Sequence, residues 1–352
     1  MLDGQSIPVR AGERFEVSSL ARFLAQQALP GFRADQLEVE QFPAGHSNLT
    51  YLLKAGEWQA VLRRPPLGPV APRAHDMARE YRILERLHPV FSLAPKPYLC
   101  CDDASIIGSP FYLMERRTGR LLDRELPADW VPDPRLHRAI SESLVGTLVD
   151  LHAVEWQSAG LDQVGHPEGY LERQVRGWID RYQRARTRDL PEVEPLTAWL
   201  AERRPVSPPA TVIHNDYKLN NVLLDPDQPT HIRAVLDWEM ATVGDPLSDL
   251  ATALVYWAEP GDAELLGGLD SVTSQPGFLR RHEVVELYQR LSGRDLRDLQ
   301  WYEAFATFKV AVICQQIYYR WYRGQTDDPR FRDHERVACN LIRRAAELAT
   351  CR

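Results

Sequence analysis

The stretch TVIHNDYKLNNVLLD, residues 211–225, sets an acid, a base and two amides between two short apolar runs. Residues 211–214 and 222–225 have the apolar, β-branched character of strands. The connection between them carries Asp216, Lys218, Asn220 and Asn221. A polar turn with Asn220 and Asn221 as turn formers is the plain alternative. The residues downstream weigh against it. Asp216 and Asn221 stand in the pattern H-x-D-x-x-x-x-N, and AVLDWE then ends a second apolar strand in Asp237, 237 − 221 = 16 residues on.

A carboxylate at the tip of a buried strand is costly unless it is paired or metal-bound. Asp216, Asp237 and Glu239 are expected to converge at one end of a small sheet, where like charges need a cation. Oxygen ligands with no cysteine or paired histidine suit Mg²⁺ rather than zinc. Mg²⁺ takes few protein oxygens and completes its shell with phosphate, which points to a nucleoside triphosphate. Such a ligand needs a backbone cradle, and PAGHSNLTY, residues 43–51, offers Gly45, Ser47 and Asn48 at a hairpin tip. A turn alone also explains that glycine, and the segment is not a G-x-x-x-x-G-K-[ST] loop. A cation for the inner phosphates is also needed. AVLRRPP ends a strand in Arg63 and Arg64, and Glu80 lies on the core side of the next helix. Arg63 is assigned to the cleft and Arg64 to a solvated edge strand.

Outward from these pieces, the first third reads as a five-stranded antiparallel sheet with one internal helix, near 74–88, preceded by a short helix capped at Ser18 or Ser19. Helical spacing then dominates, at 136–151, 170–186, 246–258, 278–291, 299–322 and 334–349. This is an α+β chain of two lobes, 1–116 and 117–352. With 352 residues it is long for a single core. Lys plus Arg is 42 against 49 Asp plus Glu, a net charge of −7, which argues against a nucleic-acid partner. No window has the roughly 18 apolar residues of a membrane span, and the first residues lack a secretory pattern. Five cysteines without C-x-x-C spacing suit free thiols in a reducing cytoplasm.

HNDYKLNN, LDWE and GDPLSDLA together resemble the catalytic loop, metal-binding strand and following helix start of the aminoglycoside phosphotransferase/choline kinase group, within the protein-kinase-like fold. VLRRPP, REY and GSPFYLMERRTG are most similar to the phosphotransferase domain also found fused to acyl-CoA dehydrogenases. The resemblance runs from about residue 38 to 258. It implies an ATP- and Mg²⁺-dependent kinase for a small-molecule hydroxyl. Asp216 would take the hydroxyl proton, and Asn221 and Asp237 would hold Mg²⁺. Lys218 would sit near the transferred phosphate, with a surface lysine as the other reading. Glu239 would assist a second metal or cap a helix, His214 would bond backbone in its loop, and Asp249 would hold that loop through its amides. Met114 would line the adenine pocket, with backbone groups of Glu115 and Arg117 reading the base.

The chain departs from this group at Arg63, where lysine is usual, and arginine differs in geometry. A nucleotide-binding protein with little or no kinase activity is therefore the alternative function. A protein kinase is disfavoured, since no A-P-E segment is present and the helical insert 120–200 sits where small-molecule kinases enlarge the acceptor site. A polycationic, aminoglycoside-like acceptor needs a carboxylate-rich pocket. The helix around Phe305, Phe308, Tyr318, Tyr319 and Trp321 is aromatic instead, as core or as the lining for an apolar or anionic acceptor such as a hydroxyacyl thioester. A homodimer is compatible with this reading, and no membrane partner is expected.

Overall fold

The computed structural model describes residues 6–43, 48–67, 75–267, 269, 271–326 and 328–350. The chain begins with β1 (Ile7–Pro8), α1 (Val17–Ala25), β2 (Leu37–Gln41), β3 (Leu49–Ala55) and β4 (Trp58–Arg64). Next come α2 (Met77–Leu87), β5 (Pro97–Cys101), β6 (Phe111–Glu115), α3 (Pro134–His152), α4 (Tyr170–Ala185) and α5 (Val193–Glu202). Four short strands come after these: β7 (Thr211–Ile213), β8 (Val222–Leu224), β9 (Ile232–Val235) and β10 (Thr242–Gly244). The chain closes with α6 (Pro246–Tyr256), α7 (Ala263–Leu266), α8 (Arg281–Ser292), α9 (Leu299–Tyr322) and α10 (His334–Thr350). It forms two compact units. One comprises Met1–Leu121, Gln157–Val164 and Asn220–Ala241, and the other Leu122–Trp156, Gly165–Leu219 and Thr242–Arg352.

The first unit is built on an antiparallel sheet in the order β1-β2-β3-β4-β6-β5. It has six strands rather than the expected five. The added strand is Ile7–Pro8 against Gln41 and Glu40, and two residues are too few to show an alternating pattern. The sheet is covered on both faces. Leu20 and Leu24 of α1 pack with Tyr51, Leu53, Leu62 and Leu113 on one side. On the other, α2 packs on β5 and β6, with Tyr81 edge-on to Tyr112. The cap of α1 is Glu16, whose carboxylate accepts from the amide and hydroxyl of Ser18, not a serine as expected. The β8–β9 hairpin completes this unit, with Leu223, Ala234 and Leu236 forming a small core.

Side chains alternate along a strand, so neighbouring arginines on β4 must face opposite ways. Arg63 faces the α2 side. Arg64 faces the α1 side, and it is neither solvated nor on an edge, because β4 lies between β3 and β6 and Arg64 is 2% exposed. Its guanidinium lies 5.1 Å from the centroid of the Phe15 ring and 5.2 Å from that of Tyr51. It donates to the carbonyls of Glu13 and Ile107 and to the Tyr51 hydroxyl. The sequence expectation failed because a guanidinium can be buried when every donor finds an oxygen, and those oxygens come from segments distant in sequence.

The second unit is helical. Its central helix, α9, packs against α10, α6 and α4 and is buried along most of its length. Phe305, Phe308 and Tyr318 are core residues, whereas Tyr319 and Trp321 are half-buried. The strands around residues 211–237 do not form one sheet. β7 pairs with β10 inside the second unit, and β8 pairs with β9 inside the first. Three-residue strands such as Thr242–Gly244 carry too little pattern to be seen, and the amphipathic α5 was likewise not anticipated. Among the described residues no helix is long and apolar enough to cross a membrane.

Arg64→Ala is expected to lower unfolding stability by about 3 kcal/mol in urea titrations, through lost charge-assisted hydrogen bonds and ring contacts. A loss under about 1 kcal/mol would show that the guanidinium is only accommodated there.

Candidate active site

In the first unit the chemistry gathers around Arg63. Nη1 donates to Glu80 Oε1 at 2.7 Å and Nη2 to Asp237 Oδ1 at 2.9 Å, with Glu239 Oε2 at 3.7 Å. The strand direction delivers the arginine, and the inward face of α2 delivers Glu80, which is 2% exposed. Burial works against the charge of Arg63, but Glu80, Asp237 and Glu239 outweigh it and hold the group well above its ordinary range. Burial also pushes Glu80 up, with Arg63 pulling it back. Asn48, at the foot of β3, donates to Glu239 Oε2 at 2.7 Å, and its carbonyl oxygen meets His75 Nδ1 at 2.8 Å. Three carboxylates thus converge on one guanidinium.

Asp237 comes just after β9 in the left-handed region, at φ 67°. This is uncommon for a residue with a side chain and costs of order 1 kcal/mol or more. Asn221 precedes β8, and its carbonyl accepts from the Leu236 amide at 2.8 Å. Strand pairing therefore brings the two residues to adjoining positions, although they are separated in sequence. The Asn221 amide oxygen and the Asp237 carboxylate are hard donors that fit Mg²⁺, and the Asp237 side chain keeps 35% of its surface exposed. Among the described residues there is no cluster of three His, Cys, Asp or Glu side chains forming a ready-made metal cage.

Met114 and Glu115 end β6, with Met114 4% exposed. The Glu115 amide already donates to the Lys96 carbonyl at 2.7 Å, so it is committed within the protein. The Arg117 side chain is tied to the Glu115 carboxylate at 2.8 Å and to the Ser92 carbonyl at 3.1 Å. Gly45 and Ser47 lie outside the described residues.

In the second unit the loop after β7 is held from beneath. The carboxylate of Asp249, on α6, accepts from the amides of His214 at 2.7 Å and Asn215 at 2.6 Å, and from His152 Nε2 at 3.2 Å. Burial alone would raise Asp249, but His152 and His214 bring it below its ordinary value. His214 Nδ1 accepts from the Asp216 amide at 3.3 Å, a backbone-binding role. Lys218 Nζ lies 3.0 Å from the Asp216 carboxylate and 4.7 Å from the centre of the Tyr256 ring. Lys218 also borders a small, open apolar cavity whose walls include Val145, Leu148, Tyr217, Ala253, Tyr256 and Trp257. Sequence reasoning passed over Lys309, which reaches the Asn215 carbonyl from α9 at 3.4 Å. The available signal was a lone lysine in the apolar run FATFKVAV.

Residues 38–284 match the model of the phosphotransferase enzyme family. The chain is 36% identical over 326 residues to acyl-CoA dehydrogenase family member 11 of Rattus norvegicus, covering 91% of this chain and 41% of the relative. It thus spans about two fifths of that protein's length. Among solved structures it is similar to a protein of Ralstonia eutropha provisionally assigned as an aminoglycoside phosphotransferase. That match has a TM-score of 0.78 and 29% identity and covers 96% of this chain and 98% of the other. The fold is shared with a thermostable mutant of aminoglycoside phosphotransferase APH(4)-Ia in ternary complex with ADP and hygromycin B. There the TM-score is 0.60 at 16% identity, covering 95% of this chain and 100% of the other. The chain belongs to the phosphotransferase enzyme family, and its α+β architecture is the kinase-like one.

Asp249→Asn should cost about 3 kcal/mol at pH 7, since it breaks a fully buried network. Because the folded carboxyl is held below its unfolded value of about 3.9, the stability it supplies is present above that pH and fades as pH falls through the folded value. The deficit of the variant should therefore narrow below about pH 4, read by urea unfolding at several pH values. An unchanging deficit down to about pH 2 would contradict the assignment.

Proposed function

We propose that this member of the phosphotransferase enzyme family transfers the γ-phosphoryl group of ATP, with Mg²⁺, to a hydroxyl on an apolar small molecule. The carrying observation is the Asp216–Lys218 ion pair, whose lysine borders an apolar cavity in one compact unit. ATP is supported by the ADP bound to the structural relative.

In this reading Asp216 accepts the hydroxyl proton while the acceptor oxygen bonds to the γ-phosphorus. The β–γ bridging P–O bond breaks, and ADP departs with the bond's electron pair. Lys218, already beside Asp216, supplies positive charge where the phosphoryl group passes. Arg63, anchored by Glu80, faces the inner phosphates, and Asn221 and Asp237 would hold Mg²⁺. When bound, Mg²⁺ neutralises phosphate oxygen charge and orients the triphosphate. At the end of β6, the Arg117 amide remains as a donor for a base edge, since the Glu115 amide is already used. One observation favours a second reading, nucleotide binding with little transfer: Arg63 itself engages Asp237 at 2.9 Å.

The cavity walls are mostly aliphatic and aromatic, with Lys218, Ser271 and Thr273 as polar members, and among the described residues they include none of the carboxylates a polyamine would need. A hydroxyl on an acyl chain, such as a hydroxyacyl thioester, suits them better than an aminoglycoside. The lengthwise match to acyl-CoA dehydrogenase family members is consistent with that class.

Asp216→Asn is expected to lower kcat about 10³-fold while the Kd for Mg-ATP changes less than about twofold, measured by coupled ADP release and calorimetry. If wild type and variant both bind nucleotide and neither turns over any hydroxyl acceptor, the second reading holds. For the acceptor, each methylene added to a hydroxyacyl thioester should lower KM about fourfold until the cavity is filled, at ~0.8 kcal/mol per buried group. Ala253→Phe, which narrows it, should reduce that gain. Turnover of kanamycin-like amines with no turnover of acyl thioesters would sink this substrate class.

A further inference from the structure

We infer that Lys309 is a positioning residue that fixes the peptide between Asn215 and Asp216 and so aims the Asp216 carboxylate. The inference rests on the reading of Asp216 as the base. Asn215 sits in the left-handed region at φ 65°, which asparagine enters more readily than other residues with a side chain. Its amide is gripped from α6 by Asp249 Oδ1 at 2.6 Å. Its carbonyl accepts from Lys309 Nζ at 3.4 Å, and its side-chain oxygen from Lys309 at 3.3 Å and the Tyr170 hydroxyl at 3.3 Å. An acceptor on one helix and a donor on another, packed against each other, therefore hold the two ends of one residue. The Asn215 carbonyl shares its peptide plane with the Asp216 amide, which points at His214 Nδ1. Fixing that plane fixes the direction in which the Asp216 side chain leaves the backbone.

A buried cation is a costly way to make such a contact. Lys309 is 5% exposed among Phe305, Phe308, Val310 and Val312, and no carboxylate among the described residues forms an ion pair with it. Burial brings its pKa down to about 8, with Asp249 of α6 and Asp216 of the loop raising it and Arg181 of α4 lowering it further. The Trp178 ring of α4 stands 5.9 Å away. A fold that disfavours a charge yet keeps it on a loop with a candidate base marks that charge as functional rather than stabilising.

Lys309→Met tests this. Its Tm at pH 7 should equal or exceed that of wild type, because a disfavoured ammonium is gone. Amide exchange over residues 214–217 should quicken about tenfold. In the acceptor assay kcat should fall about tenfold or more, with KM for Mg-ATP within about twofold. A folded variant with unchanged exchange over 214–217 overturns the inference. If the variant does not fold, Lys309→Gln, which stays polar but is one atom shorter, decides: exchange over 214–217 should quicken about tenfold, and unchanged exchange overturns the inference. Quickened loop exchange in the variant beside a wild type that turns over nothing supports the clamp and defeats the phosphotransfer reading alone.

Discussion

A buried guanidinium needs oxygens for its donors, and at Arg63 those oxygens are carboxylates, a pairing that organises the first unit. Arg63 leaves the central strand β4 and takes one acid from α2 and another from the end of the β8–β9 hairpin. Three elements far apart in sequence are thereby brought to one place. Removing any partner leaves the others charged and desolvated, which costs far more than the pair contributes when intact. The same electrostatic balance leaves the Asp237 carboxylate partly exposed next to Asn221.

The second unit meets the same constraint with the signs reversed. Asp249 is fully buried and is satisfied by two backbone amides and His152. It holds the loop from the side of α6 through the amides of His214 and the left-handed Asn215. Lys309 answers from α9. Beside this polar knot, Tyr217 and Lys218 border an apolar cavity with no carboxylate among its described lining residues. In the proposed function that contrast favours an apolar carrier for the acceptor hydroxyl.

Much of this was legible in the chain. H-x-D-x-x-x-x-N and LDWE carry functional types at fixed spacing, and such spacing survives translation into local structure because loops and strand ends are short. Residues on the two arms of the β8–β9 hairpin meet wherever the hairpin forms, so Asn221 and Asp237 could be paired in advance. Arg64 could not be read. Its neighbours on β4 suggest a strand end, and only the arrival of the Glu13–Phe15 segment and the Ile107 carbonyl makes burial tolerable. The sixth strand and β10 were missed for a different reason: two or three residues hold no period.

By itself the sequence determined where the polar and ionisable side chains fall, which of them lie on one local element, and that two apolar patterns of different period must form two kinds of structure. Tertiary structure decided which of two adjacent arginines meets the acids, which strands pair with which, and what surrounds Asp216. The physical reason is range. Periodicity and spacing act over a few residues, whereas burial, ion pairing and cavity shape depend on groups brought together from distant parts of the chain, and no local pattern records who those neighbours will be.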